Sequence, residues 1–146
     1  MKVLFLNGPN LNLLGQREPE IYGSMKLSDI EDMVREHGER HGVEVVFHQS
    51  NHEGELVTQV QQSAGNYDYV ILNAAAYTHS SIGLKDAIVG AGVKAIEIHL
   101  TNIHARESYR QTSIIAQSCI GSINGFEAGS YILGLEAAIL HNNAND

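Results

Sequence analysis

An α/β fold in three layers, a five-stranded parallel sheet between helices, follows from two features of this sequence. Short apolar runs alternate with amphipathic stretches of helical period, the signature of βαβ units and therefore of parallel strands. The segments that follow the strands are rich in polar, reactive side chains on one edge of the sheet only, whereas the other edge has plain turns such as His41-Gly42 and Asn66-Tyr67-Asp68. Lys2–Leu6 reads as a buried strand stopped by Asn7-Gly8-Pro9. A polar loop runs from Asn10 to about Ser24, and Leu27, Ile30, Met33 and Val34 then mark one face of a helix that Gly42 ends. Val43–His48 is the second strand, and Leu56, Val57 and Val60 give a helix reaching toward Gly65. Tyr69–Leu72 is the third strand, ending at Asn73, followed by a helix through Ile82, Ala87, Ile88 and Ala91 that Gly92 closes. Val93–Ile98 and Ser118–Ile123 complete the sheet, and Tyr131–His141 is a last amphipathic helix.

Five strands in 146 residues point to a flavodoxin-like arrangement in one domain, residues 1–146. A chain of this size buries roughly two-thirds of its unfolded surface, so it holds a core without staples. The net charge of −8 argues against nucleic acid or an anionic membrane as a partner, since both reward clustered Lys and Arg. The single cysteine, Cys119, rules out an intrachain disulfide framework and reads as a small buried apolar group in a reducing compartment. The apolar run at the amino terminus is of strand length, too short for a signal-peptide core or a membrane span, so the expected location is cytoplasmic.

In doubly wound sheets ligands bind beyond the carboxyl ends of the strands. Three segments emerge there: Asn7–Gly23 after the first strand, Asn73–Ser81 after the third, and His99–Arg110 after the fourth. Their wealth of Asn, His, Arg, Ser and Thr is better explained by a pocket than by solvation. No GxGxxG, GxxxxGK[ST] or GxSxG pattern occurs, which leaves dinucleotide cradling, P-loop chemistry and a serine nucleophile without support. The pairs His37/His41, His48/His52 and His99/His104 have spacings within reach of metal sites, but none stands with Cys or clustered carboxylates. His37 and His41 lie on a helix with a charged outer face, so the expectation is no metal and no other cofactor.

Arg17-Glu18-Pro19 followed by Tyr22-Gly23, the stretch Gln49–Leu56, the loop Asn73–Ser81, and Glu97-Ile98-His99-Leu100-Thr101-Asn102 together resemble the signature segments of type II 3-dehydroquinate dehydratase. The resemblance covers nearly the whole chain. It implies a flavodoxin-like fold, conversion of 3-dehydroquinate to 3-dehydroshikimate in the shikimate pathway or in quinate breakdown, and assembly as a dodecamer of four trimers. Three features depart from the family pattern. Ala74 and Ala75 stand where Pro and Gly are common, Thr101 stands for the usual Ser, and Gly125–Tyr131 is atypical. An alanine at a site needing positive φ costs about 1 kcal/mol or shifts the loop.

The resemblance also implies roles. Dehydration beside a ketone needs a base for the α-proton, a holder for the enolate and an acid for the departing hydroxyl. Tyr22 matches the base. Bringing a phenol from a pKa of about 10 to about 8 takes about 3 kcal/mol of preferential phenolate stabilisation. Burial pushes the other way, so Arg17, always charged and on the same loop, is the expected supplier. His99 matches the general acid. Glu97, two residues earlier and so on the same strand face, is expected to set its tautomer and favour its charged form. Asn10 matches the residue that orients a water against the enolate oxygen. Asn73, His79, Arg110 and the Leu100 and Thr101 amides match substrate-binding positions, and Asp86 resembles a residue reaching a neighbouring subunit's site. Arg106 reads as structural or subunit-contacting, and His104, Glu53 and Asn51 as loop scaffolding. A response-regulator role fails because Asn7 and Asn73 stand where acids are required. A flavin or nucleotide module lacks its glycine pattern, and a non-catalytic homologue would not need the motif residues.

Overall fold

The structure, a computed structural model, describes residues 1–16 and 24–146. The strands are β1 (Lys2–Asn7), β2 (Glu44–Gln49), β3 (Tyr69–Asn73), β4 (Ala95–His99) and β5 (Gly121–Asn124). All pair in parallel in the order β2-β1-β3-β4-β5, the flavodoxin-like order that the alternation of elements predicts. Helices α1 (Leu27–Arg40) and α4 (Gly129–Ala144) cover one face, α2 (Glu53–Ser63) and α3 (Ile82–Ala91) the other.

The period of two in β1 divides the core. Val3 and Phe5 join Ile30, Val34, Ile71, Ile98 and Leu135 under α1 and α4, while Leu4 and Leu6 join Leu56, Val60, Leu72, Leu84 and Ile88 under α2 and α3. Because both faces are covered, the strand shows no polar alternation, which is why its sequence is a continuous apolar run. Helix α3 is capped at both ends. Ser81 Oγ accepts from the Leu84 amide to start α3, and Gly92 at φ +66° closes it. Gly134 lets α4 press on the sheet: a Cβ there would meet Ile98 Cγ2 at 2.9 Å.

Several boundaries differ from the sequence reading: β1 runs on to Asn7, and β2 is shifted by one residue, to Glu44–Gln49. β4 starts at Ala95 and runs on to His99, because His99 pairs in register with Asn124. Residues Ile115–Ser118 form a 3-10 turn, so β5 begins only at Gly121. Helix α4 is longer at both ends than Tyr131–His141. Near its start Ser130 Oγ accepts from the Phe126 amide, which fastens the preceding turn to the first helical residues.

Ala75 has φ +51°, so the loop keeps the left-handed backbone although it carries a methyl group. Ala75→Gly should therefore raise stability by about 1 kcal/mol, read as a higher denaturant midpoint with an unchanged slope.

Candidate active site

Parallel register brings the ends of β2, β1 and β3 level, since Asn7 pairs with Gln49 on one side and Asn73 on the other. Asn7 and Asn73 are buried under α4. Between them Tyr131 Oη donates to Asn7 Oδ1 at 2.6 Å and accepts from Asn73 Nδ2 at 3.0 Å. Burial pushes the Tyr131 phenol well above its usual range, with Asn73 opposing and Glu31 adding to the effect, so its proton stays in this chain. Asn73 Oδ1 in turn accepts from the Ala75 amide at 3.2 Å and shapes the loop after β3.

The loop after β1 is pinned against that loop. The Gly8 amide donates to the Asn73 carbonyl at 2.8 Å, and a Cβ on Gly8 would lie 2.5 Å from the Ala74 carbonyl oxygen, so only glycine allows this approach. Asn10 follows at φ +68°, a conformation asparagine tolerates. Its amide donates to Asn51 Oδ1 at 3.0 Å, Gln49 Nε2 donates to the Gly8 carbonyl and to Asn51, and Tyr77 Oη holds the Asn51 carbonyl at 2.7 Å. Asn51 is thus the loop scaffold that its sequence position suggests.

Beyond these strand ends lies a cavity of about 250 Å³, lined by Pro9, Asn10, Leu11, Asn73, Ala75, Ala76, His79, His99, Leu100, Thr101, Ile103, Arg106 and Arg110. It brings together Asn10, Asn73, His79, His99, Leu100, Thr101 and Arg110 of the sequence-derived set. Tyr22 and Arg17 lie outside the described residues. Asp86 is elsewhere, exposed on α3 in a separate groove between α2 and α3 that Val57, Gln61 and Ala87 also line. Arg106, which the sequence suggested was structural or subunit-contacting, lines the cavity. Its nearest signal was its spacing of four from Arg110, which puts two guanidinium groups in one short segment.

His99 is almost fully buried, and its Nε2 lies 3.6 Å from Glu97 Oε2 with no hydrogen-bond partner among the described residues. Glu97, 1% exposed, is held as a carboxylate. Burial works against that charge. The His99 ring and the Ser113 and Ser122 hydroxyls outweigh it and keep the carboxyl below its usual value of 4.5. Ser122 Oγ donates to Oε1 at 2.7 Å, and Ser113 Oγ donates to Oε2 while accepting from the Ala116 amide. An anion therefore stands behind His99 throughout the neutral range. Cys119, on the same side of the sheet, is not part of this chemistry, because burial, with Glu97 adding to it, pushes its thiol up to about 12.

His79 Nδ1 faces the Thr112 carbonyl at 2.8 Å and donates to it, which leaves Nε2 as the acceptor of the neutral ring. Arg110 Nε is 3.3 Å from Glu107 Oε2, and its guanidinium lies 5.3 Å from the Tyr109 ring centroid, so the charge is oriented from two sides. The Leu100 and Thr101 amides make no hydrogen bond among the described residues, a free donor pair at a strand end. Neither Lys85, which donates to Gln117, nor Lys94, stacked over Tyr69, lines the cavity. The arrangement can bind a small anion, hold developing negative charge with neutral donors, and exchange a proton at a buried imidazole.

Comparison with known proteins shows the family. A family model described as Dehydroquinase class II matches residues 1–139. A protein of Geotalea daltonii named 3-dehydroquinate dehydratase is 51% identical over 141 residues, covering 97% of this chain and 98% of its own. One of the same name from Synechocystis is 54% identical over 138 residues, covering 94% of this chain and 91% of its own. The crystal structure of type II dehydroquinase from Butyrivibrio crossotus superposes with a TM-score of 0.90 at 37% identity, covering 94% of this chain and 97% of that one. Matched along nearly its whole length in sequence and in fold, the chain belongs to the class II dehydroquinase family and is, by that membership, a dehydratase enzyme.

Proposed function

We propose that this enzyme converts 3-dehydroquinate to 3-dehydroshikimate and water through an enolate, with Tyr22 as base and His99 as acid. The observation that supports it most is that Asn10, Asn73, His99, Thr101 and Arg110 line one cavity, with a charged Glu97 behind His99. The Tyr22 phenolate, stabilised by Arg17, takes the proton beside the ketone, and the electron pair moves onto the carbonyl oxygen. A water oriented by Asn10 meets that oxygen with a hydrogen bond. The enolate then re-forms the ketone as the carbon–oxygen bond to the leaving hydroxyl breaks, and His99 delivers the proton that makes it water. The unpartnered Leu100 and Thr101 amides, the Thr101 hydroxyl and Arg110 suit the substrate carboxylate, and Asn73 and His79 suit its hydroxyls. No step calls for a metal, a nucleotide or a lysine Schiff base.

Assembly as a dodecamer of four trimers, with Asp86 reaching a neighbour's site, belongs to the same reading. So does a cytoplasmic location, in the shikimate pathway or in quinate breakdown. No helix among the described residues is long and apolar enough to cross a membrane.

The direct test is to incubate purified protein with 3-dehydroquinate and follow the ultraviolet absorbance of the conjugated enone. A protein that binds the substrate and leaves it unchanged refutes the assignment. Arg17→Ala should move the pH optimum upward, because without the guanidinium the phenolate forms only at higher pH. An unchanged pH profile would mean that another group stabilises it.

A further inference from the structure

On α1 and α4, at the sheet edge opposite the cavity, His37, His41 and Glu136 converge, and we propose that they form a binding site for a divalent transition-metal cation of the zinc class. His37 and His41 are one turn apart near the carboxyl end of α1, so their rings leave the same face, with centroids 4.7 Å apart. Glu136 reaches across from α4. Its Oε1 is 2.6 Å from His37 Nε2 and 3.4 Å from His41 Nε2. One ligand atom from each residue lies within 4.8 Å of the other two, and among the described residues no other three His, Cys, Asp or Glu side chains do so.

The two separations from Glu136 are close to those of a tetrahedral ion, and the two ring nitrogens lie within 4.8 Å of each other. With metal–ligand bonds of about 2.0 to 2.2 Å, neighbouring ligand atoms stand about 3.4 Å apart. The His41–Glu136 pair already has that separation, and His37 has to withdraw from its hydrogen bond by less than an ångström. The helices that carry the ligands are fixed: Ile30 and Val34 of α1 and Leu135 and Ala138 of α4 are buried in one cluster. Gly38, between the histidines, allows α1 to lie against the sheet, because a Cβ there would meet Val45 Cγ2 at 2.8 Å. Two imidazoles and a carboxylate form a donor set that zinc accepts, with a fourth position left for water. Side-chain exposures of 18%, 43% and 34% leave solvent a route to the ion. The site would clamp α4 to α1 and act on stability, independently of the dehydration.

The test uses tag-free protein stripped with chelator and titrated with Co²⁺ or Zn²⁺ alone. The expected result is one equivalent bound, visible d–d bands for Co²⁺, and a melting temperature that rises with Zn²⁺ concentration. His41→Ala removes an exposed ring without touching the core and should weaken Zn²⁺ at least tenfold and abolish the bands, as should Glu136→Gln. His48→Ala, which breaks the separate His48–Glu55 pair, should leave both unchanged. Lack of saturable binding overturns the proposal, and so does binding that survives both His41→Ala and Glu136→Gln.

Discussion

Tyr22→Phe is expected to leave the fold and substrate affinity nearly intact while kcat falls by about 10³-fold or more, the upper part of the range for losing a positioned proton-transfer group. The substitution removes one oxygen and keeps the ring, so whatever packing the side chain contributes to its loop is preserved. What disappears is the group that, in the proposed mechanism, accepts the α-proton. Among the described residues the cavity lining holds no second phenol and no carboxylate, and its only other free imidazole nitrogen, His79 Nε2, suits a substrate hydroxyl in the proposed reading. His99 is backed by an anion and, in the proposed mechanism, serves the leaving hydroxyl, and the Asn10 and Asn73 amides do not act as bases at neutral pH. Affinity should survive because the groups proposed to bind the carboxylate belong to the segment after β4 and to Arg110, which Tyr22→Phe does not alter. Turnover is read from the enone absorbance and binding from calorimetry on the variant. Full activity would remove Tyr22 as the base, and a parallel loss of binding would show a packing role instead.

Most of the fold was legible because both faces of the sheet are covered. Strand interiors such as Tyr69–Leu72 and Val3–Leu6 appear as unbroken apolar runs, and glycines at positive φ, Gly42 and Gly92, mark where helices stop. The boundaries of β4 and β5 were not legible. They depend on pairing between His99 and Asn124 and on a 3-10 turn held by Ser113 Oγ, neither of which leaves a local pattern. The described part of the cavity was legible for one topological reason, that Asn10, Asn73, His99 and Thr101 all follow strands at the same edge. Arg106 was missed because a charged residue in a loop looks like any solvated charge. The partners of Glu97 were out of reach altogether: Ser113 and Ser122 are 16 and 25 residues away, and nothing in their surroundings marks them. The same holds for Glu136, 99 residues from His37, so the helical histidine pair looked bare.

Glu97→Gln should damage the enzyme in two separable ways. The carboxylate accepts from Ser113 on one oxygen and Ser122 on the other and faces the His99 ring at 3.6 Å. Glutamine keeps the shape but offers one acceptor where there were two and turns a donor toward a hydroxyl, leaving a buried polar group poorly matched. The cost to folding should be about 1 to 3 kcal/mol at neutral pH. The sign with pH follows from the depressed carboxyl. The wild-type advantage is complete above the unfolded-state value near 4.5 and disappears as pH falls below it through the folded-state value, so the two stability curves should converge only in acid. In catalysis His99 loses the anion that backs it, and kcat should fall by about 10²-fold with KM little changed, since of the polar partners of Glu97, Ser113, Ser122 and His99, only His99 lines the cavity. Glu97→Asp, which restores the charge at a slightly longer reach, should recover part of kcat. Equal losses in the Gln and Asp variants would mean that packing and not charge is what His99 requires.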